Sequence, residues 1–134
     1  MDEMNVPQET FGCTSCWPAA AEAAWQARSS LRVDSKLVDE SHFQVTICSC
    51  QSCSQRFVLV FTETIDWVDG EDPQYWTLLP ISEGEAAKLS HGDKGIEALL
   101  NTLAPQRRSL CRDFPKGGSP NADWSYGISV GLHD

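Results

Sequence analysis

The stretch His42-Phe43-Gln44-Val45-Thr46-Ile47-Cys48-Ser49-Cys50-Gln51-Ser52-Cys53-Ser54-Gln55-Arg56-Phe57-Val58-Leu59-Val60-Phe61 reads as a strand, a turn and a returning strand. From Phe43 to Ile47 apolar side chains alternate with Gln44 and Thr46, the period-two pattern of a half-buried strand. Alternation resumes after the turn. Phe57, Leu59, Phe61, Ile65 and Trp67 share one face by parity, and Val58, Val60, Thr62 and Thr64 take the other, so a long strand is predicted over 56–68. The turn is Cys50-Gln51-Ser52-Cys53, two thiols at the spacing of a metal-binding knuckle.

A second pair, Cys13-Thr14-Ser15-Cys16, stands 33 residues upstream. Two such knuckles brought together offer four thiolates at the corners of a tetrahedron, the arrangement zinc takes in closed structural sites. Cys13, Cys16, Cys50 and Cys53 are therefore the expected ligands of one structural Zn²⁺ per chain. A disulfide framework is the competing reading. The opening Met-Asp-Glu-Met-Asn carries no basic start and no apolar run, so the expectation is a cytoplasmic protein with reduced thiols. Cys48 could replace Cys50 as a ligand, but Cys50/Cys53 has the tighter knuckle spacing. Cys48 then reads as a half-buried strand residue facing away from Ile47, and Cys111 as a small core residue.

The two knuckles, with the hairpin between Ile47 and Phe57, resemble the zinc-ribbon group. The resemblance covers well under half the chain and implies a structural zinc in a small antiparallel sheet. It implies no particular activity, because ribbons serve many functions. Two features depart from the common pattern: Trp17 and Ser54, not glycines, follow the second cysteines, and a long insert separates the pairs. The whole chain also resembles small bacterial proteins, which lend it no activity.

With 134 residues the chain is expected to be a single domain over 1–134, of α+β class. Its predicted architecture is an antiparallel sheet of about five strands with two to three helices. Residues 1–10 are expected to be loose, 11–81 to contain the ribbon, and 82–134 to supply helices and C-terminal strands. Pro18 suits a first helical position, and Ala21, Ala24, Trp25 and Arg28 make one face of a helix over 19–28. Residues 32–41 are mixed and polar and read as a loop. Tyr75 to Ile81 returns as a strand, with Pro80 confining it near an edge or an end. Ser82 and Glu85 have capping-box spacing. Asp93 can cap a helix whose stripe is Ile96, Leu99, Leu100 and Leu103, ended by Pro105. Leu110, Arg112 and Phe114 alternate in one late strand, and Trp124, Tyr126, Ile128 and Val130 in another.

Acidic side chains outnumber basic ones 19 to 10, a formal net charge of −9. Such a surface repels nucleic acid and attracts basic proteins. Glu63, Asp66, Asp69, Glu71 and Asp72 place five carboxylates within ten residues, interleaved with Trp67. These six residues are the expected contact surface for a basic protein partner. The other reading is a solvated hairpin whose charge blocks edge-to-edge pairing. Arg107, Arg108, Arg112 and Lys116 gather four of the ten cations. They form an exposed patch or they pair with the acidic hairpin inside the fold.

Catalytic patterns are weak. Asp39, Glu40, Ser41 and His42 are adjacent in sequence, whereas hydrolytic triads converge from distant segments, and no nucleophile elbow is present. A redox use of Cys13/Cys16 ahead of a helix is conceivable, but two pairs argue for metal. The deaminase signature is missing, and His91 and His133 read as surface residues. The expectation is a non-enzymatic, zinc-stabilised acidic binding domain that meets neither membrane nor nucleic acid, such as an immunity protein neutralising a basic bacterial toxin. The alternative is a nucleic-acid-associated ribbon protein.

Overall fold

A computed structural model of the chain describes residues 11–92, 95–131 and 133. The expected looseness of 1–10 and the Asp93 cap lie outside the described residues. Six strands form one antiparallel sheet in chain order: β1 (Arg32–Asp39), β2 (Phe43–Ser49), β3 (Arg56–Glu63), β4 (Gln74–Ile81), β5 (Arg108–Phe114) and β6 (Asn121–Tyr126). Among the described residues three α-helices accompany them: α1 (Ala21–Ala27), α2 (Glu83–Ser90) and α3 (Ile96–Thr102). The α+β class stands, with one strand more than expected.

The extra strand is β1, in the segment predicted to be a loop. It pairs with β2 through two register shifts, between Val33 and Ser35 and between Lys36 and Val38. It is an edge strand and mostly exposed on both faces, so no burial imposes the alternation that marks a strand in sequence. Two further boundaries move. The strand after the second knuckle ends at Glu63, so Ile65 and Trp67 do not continue its face. Helix α1 starts at Ala21, not Pro18, and runs into a 3₁₀ turn over Arg28–Ser30.

Pro80 sits one residue from the end of β4, as expected. The β4–β5 ladder stops at the Leu78–Leu110 pair. Beyond it the Pro80 carbonyl accepts from Arg107 Nη1 at 2.9 Å. A strand residue's N and O point to the same side, so the missing N–H of Pro80 falls where β5 has already left.

Parity sorts the core into two clusters. On one face Phe43, Val45, Ile47, Val58, Val60, Leu79 and Ile81 pack against Ala86 and Leu89 of α2 and Leu100 of α3. On the other, Phe57, Leu78 and Leu110 meet Ala24 and Trp25 of α1 together with Cys16 and Cys50. β3 and β4 are covered on both faces, which is why their sequences read as nearly continuous apolar runs. Gly127 ends the alternation predicted to carry Trp124 through Ile128. It adopts φ +66°, and a Cβ there would lie 2.9 Å from the Pro105 Cα. The chain turns, and Ile128 is buried in the first cluster while Trp124 packs on the second. No helix among the described residues is long and apolar enough to cross a membrane.

Candidate metal centre

The second knuckle is the β2–β3 turn. Its hairpin register, Ile47 opposite Val58, Cys48 opposite Phe57 and Ser49 opposite Arg56, aims the loop off the end of the sheet. Within it the Cys50 N–H donates to the Gln55 carbonyl at 2.9 Å, and the Ser54 N–H to the Cys50 carbonyl at 2.9 Å. Ser54 takes φ +67°, the conformation that the missing glycine would adopt more easily. The first knuckle is a matching turn in which the N–H groups of Cys16 and Trp17 donate to the Cys13 carbonyl.

Two devices bring the knuckles together. Trp17 packs between Phe57 of β3, with ring centroids 5.5 Å apart, and Trp124 of β6, 5.0 Å away edge to face. The Trp124 indole in turn donates to the Ala19 carbonyl at 3.0 Å. Gln55 is the second device. Its Oε1 accepts from the Gly12 N–H at 3.0 Å, while its Nε2 donates to the carbonyls of Arg56 and Ile81. One amide thereby ties the chain before the first knuckle to β3 and to the end of β4. Gly12 itself has φ +70°, and a Cβ on it would meet Cys16 Sγ at 2.8 Å.

As a result Cys13, Cys16, Cys50 and Cys53 offer four sulfurs that all lie within 4.8 Å of one another. Cys13–Cys16, Cys13–Cys50 and Cys16–Cys53 are each 3.8 Å apart. A tetrahedron with metal–sulfur bonds of about 2.3 Å has edges of roughly 3.8 Å. Bonded sulfurs would stand at about 2.05 Å, so the thiols are spaced for an ion and not for disulfides, and all are free. Cys48 and Cys111 stand outside the cluster.

The knuckle backbones prepare the ligands unequally. In each pair the first thiol is driven toward thiolate. The N–H groups of Cys16 and Ser15 hold Cys13 down to about 6. Burial raises Cys50, but the N–H groups of Cys53 and Ser52 outweigh it and leave Cys50 below its ordinary value. Burial is the largest influence on the second members, Cys16 and Cys53, and both are raised. Cys13, Cys16, Cys50 and Cys53 would hold a divalent ion, whose charge would favour the thiolate form of all four. Four protein sulfurs would fill the shell of such an ion and leave no position for water or substrate, so its contribution would be to hold the two knuckles together. A surface hollow of about 380 Å³ lies elsewhere against Thr62, Thr64, Tyr75 and Asp113, and none of the ten expected site residues lines it.

The acidic segment is an ordered loop joining β3 to β4, two central strands, so it does not guard a sheet edge. Asp66 organises it. Its carboxylate accepts from the N–H groups of Val68, Asp69 and Glu71, and its own N–H donates to Asp72 Oδ1 at 2.8 Å. Lys116, from the β5–β6 turn, lies 3.0 Å from both Asp66 Oδ2 and Asp69 Oδ2. Lys116 and those N–H groups hold the Asp66 carboxyl below the usual carboxylate range. Glu63 is likewise occupied, by His42 Nδ1 at 2.9 Å and Gln74 Nε2 at 2.8 Å. At the tip Trp67 and Val68 are 84% and 86% exposed.

Of the four cations, Lys116 pairs with the acidic loop, whereas Arg107 pairs with Glu85 at 2.7 Å, Arg112 pairs with Glu22 at 2.9 Å, and Arg108 lies over the Trp124 ring. The sequence reading missed Gln55 and Gly12 as supports of the centre. Gly12 had a signal, a glycine directly before the first thiol, whereas Gln55 looks like any polar loop residue. No protein-family model, curated protein or solved structure matches the chain.

Proposed function

We propose that the protein is a zinc-stapled, non-enzymatic binding module whose acidic β3–β4 loop docks a basic protein surface. The observation that carries this reading is the loop tip. Trp67 and Val68 stand almost fully exposed among Asp69, Glu71 and Asp72, on a turn whose backbone is tied down by Asp66. An exposed indole on a pre-ordered turn is the kind of anchor that buries into a partner at low entropic cost. Surrounding carboxylates in a chain of net charge −9 select cationic partners and speed their encounter. Zinc is the ion that best suits four thiolates in a closed shell.

An immunity protein covering the cationic active site of a toxin is the specific form of this reading. The nucleic-acid alternative is disfavoured because Arg107 and Lys116 are engaged by carboxylates within the chain. The test is binding to the purified product of the adjoining reading frame, followed by salt-dependent calorimetry. Tight binding that weakens with salt and falls at least about tenfold in Trp67→Ala and in Asp69→Lys supports the proposal. Unchanged binding by both variants, or no binding alongside a shift of nucleic acid at low salt, overturns it.

A further inference from the structure

A second polar constellation lies on the α1 face of the sheet. Arg28, at the C-terminal end of α1, and Arg112, in the middle of β5, place their guanidinium carbons 4.0 and 5.3 Å from the centroid of the same ring, Trp25. Trp76 is the cross-strand partner of Arg112 and packs edge to face on Trp25 at 5.8 Å. Three N–H donors around the Trp25 ring lack an acceptor: Nε of Arg28, Nε of Arg112 and Nε1 of Trp76 are all buried and unpaired. Buried donors are almost always satisfied, so three orphans in one cluster call for a missing acceptor.

The charges point the same way. Two guanidinium groups share one aromatic wall in a chain with nearly twice as many acids as bases. Burial, and then the nearby Arg112, depress the basicity of Arg28. No carboxylate among the described residues forms an ion pair with Arg28, whereas Arg32, Arg56, Arg107, Arg112 and Lys116 all have one. A carboxylate already on the cluster, Glu22, shows what it accepts. Both its oxygens lie on Arg112 Nη1, at 2.9 and 3.2 Å, and its side chain is 60% exposed. It is therefore tethered loosely enough for an external group to displace it.

We propose that Arg28, Arg112 and the Trp76 indole form a receptor for an oxyanion, the phosphate or carboxylate group of a ligand, seated against Trp25. The planar forks of two guanidinium groups match the paired oxygens of either group. Glu22 is a resident competitor. The site uses neither the cysteines nor residues 64–73, so its test is independent of the docking proposal.

The experiment titrates the metal-loaded, ¹⁵N-labelled full chain with inorganic phosphate and, separately, with acetate, at constant ionic strength set by chloride. The readout is the Nε–H signals of Arg28 and Arg112 and the indole signal of Trp76. A saturable shift of these signals is expected with at least one anion, and the responding anion identifies the class. Arg28→Gln should weaken binding at least about tenfold, the loss expected for a charge-assisted hydrogen bond. Glu22→Gln should tighten it about threefold by removing the competitor. Shifts no larger than those caused by chloride, or binding unchanged in Arg28→Gln with a native amide spectrum, would overturn the proposal.

Discussion

Single residues set the geometry of the metal centre, and two of them make opposite predictions. Gly12 combines a left-handed φ with a 2.8 Å approach to Cys16 Sγ, so Gly12→Ala adds both strain and a clash beside a ligand. It should cost about 1–3 kcal/mol in chemical denaturation and weaken the metal in a chelator competition. Ser54 holds φ +67° with a Cβ, so Ser54→Gly should stabilise the protein by about 0.5–1 kcal/mol in the same assay. A loss there would mean that the knuckle does not adopt this turn. Glu85 is the residue whose titration reports on the fold. Burial raises its carboxyl, yet the Arg107 hydrogen bond and the Ser82 N–H more than compensate, leaving it below its ordinary value of 4.5. Its folded pKa is depressed, so its contribution is fully present above pH 4.5 and is lost as pH falls through the folded value. The stability difference between wild type and Glu85→Gln should therefore shrink below pH 4.5, as followed by denaturant midpoints across pH.

At the scale of elements, strands buried on one or both faces were legible from residue pattern alone, because burial writes itself as periodicity. β2, β3 and β4 show this, and so does the Ser82–Glu85 capping box, in which both reciprocal hydrogen bonds form. β1 was illegible for the converse reason: an exposed edge strand with two register shifts leaves no apolar alternation to read. The end of β3 was misplaced because Ile65 and Trp67 keep the parity of a strand while Asp66 draws the backbone into a turn. Trp67 accordingly stands at the loop tip, as the contact-surface reading expected, and not on the buried face of β3. Trp67→Ala should change stability by no more than about 0.5 kcal/mol, whereas Phe57→Ala should cost about 3–5 kcal/mol by opening a cavity under the metal centre. Phe57 is fully buried between Trp17 and the sheet, and thermal denaturation of the two variants separates the cases.

At the scale of the whole molecule, the described residues form one sheet with two cores, and the knuckles lie in the one that faces α1. The four ligands were legible in the sequence because two short spacings declare them. Their convergence was not, because it depends on Trp17, Trp124 and Gln55, contributed from segments that no local motif connects. The acidic loop was visible as composition, but its internal pairing with Lys116 arises only when the β5–β6 turn is brought beside it. Metal coordination should thus be coupled to the face bearing α1 more strongly than to the face bearing α2 and α3. Chelation should expose the amides of α1 to hydrogen exchange before those of α2. The most direct test is elemental analysis of protein purified from cells, with each cysteine changed to serine in turn. The account predicts one zinc per chain, lost in the variants at Cys13, Cys16, Cys50 and Cys53 and retained in those at Cys48 and Cys111. Metal-free protein that still folds cooperatively, or zinc retained without Cys53, would contradict it.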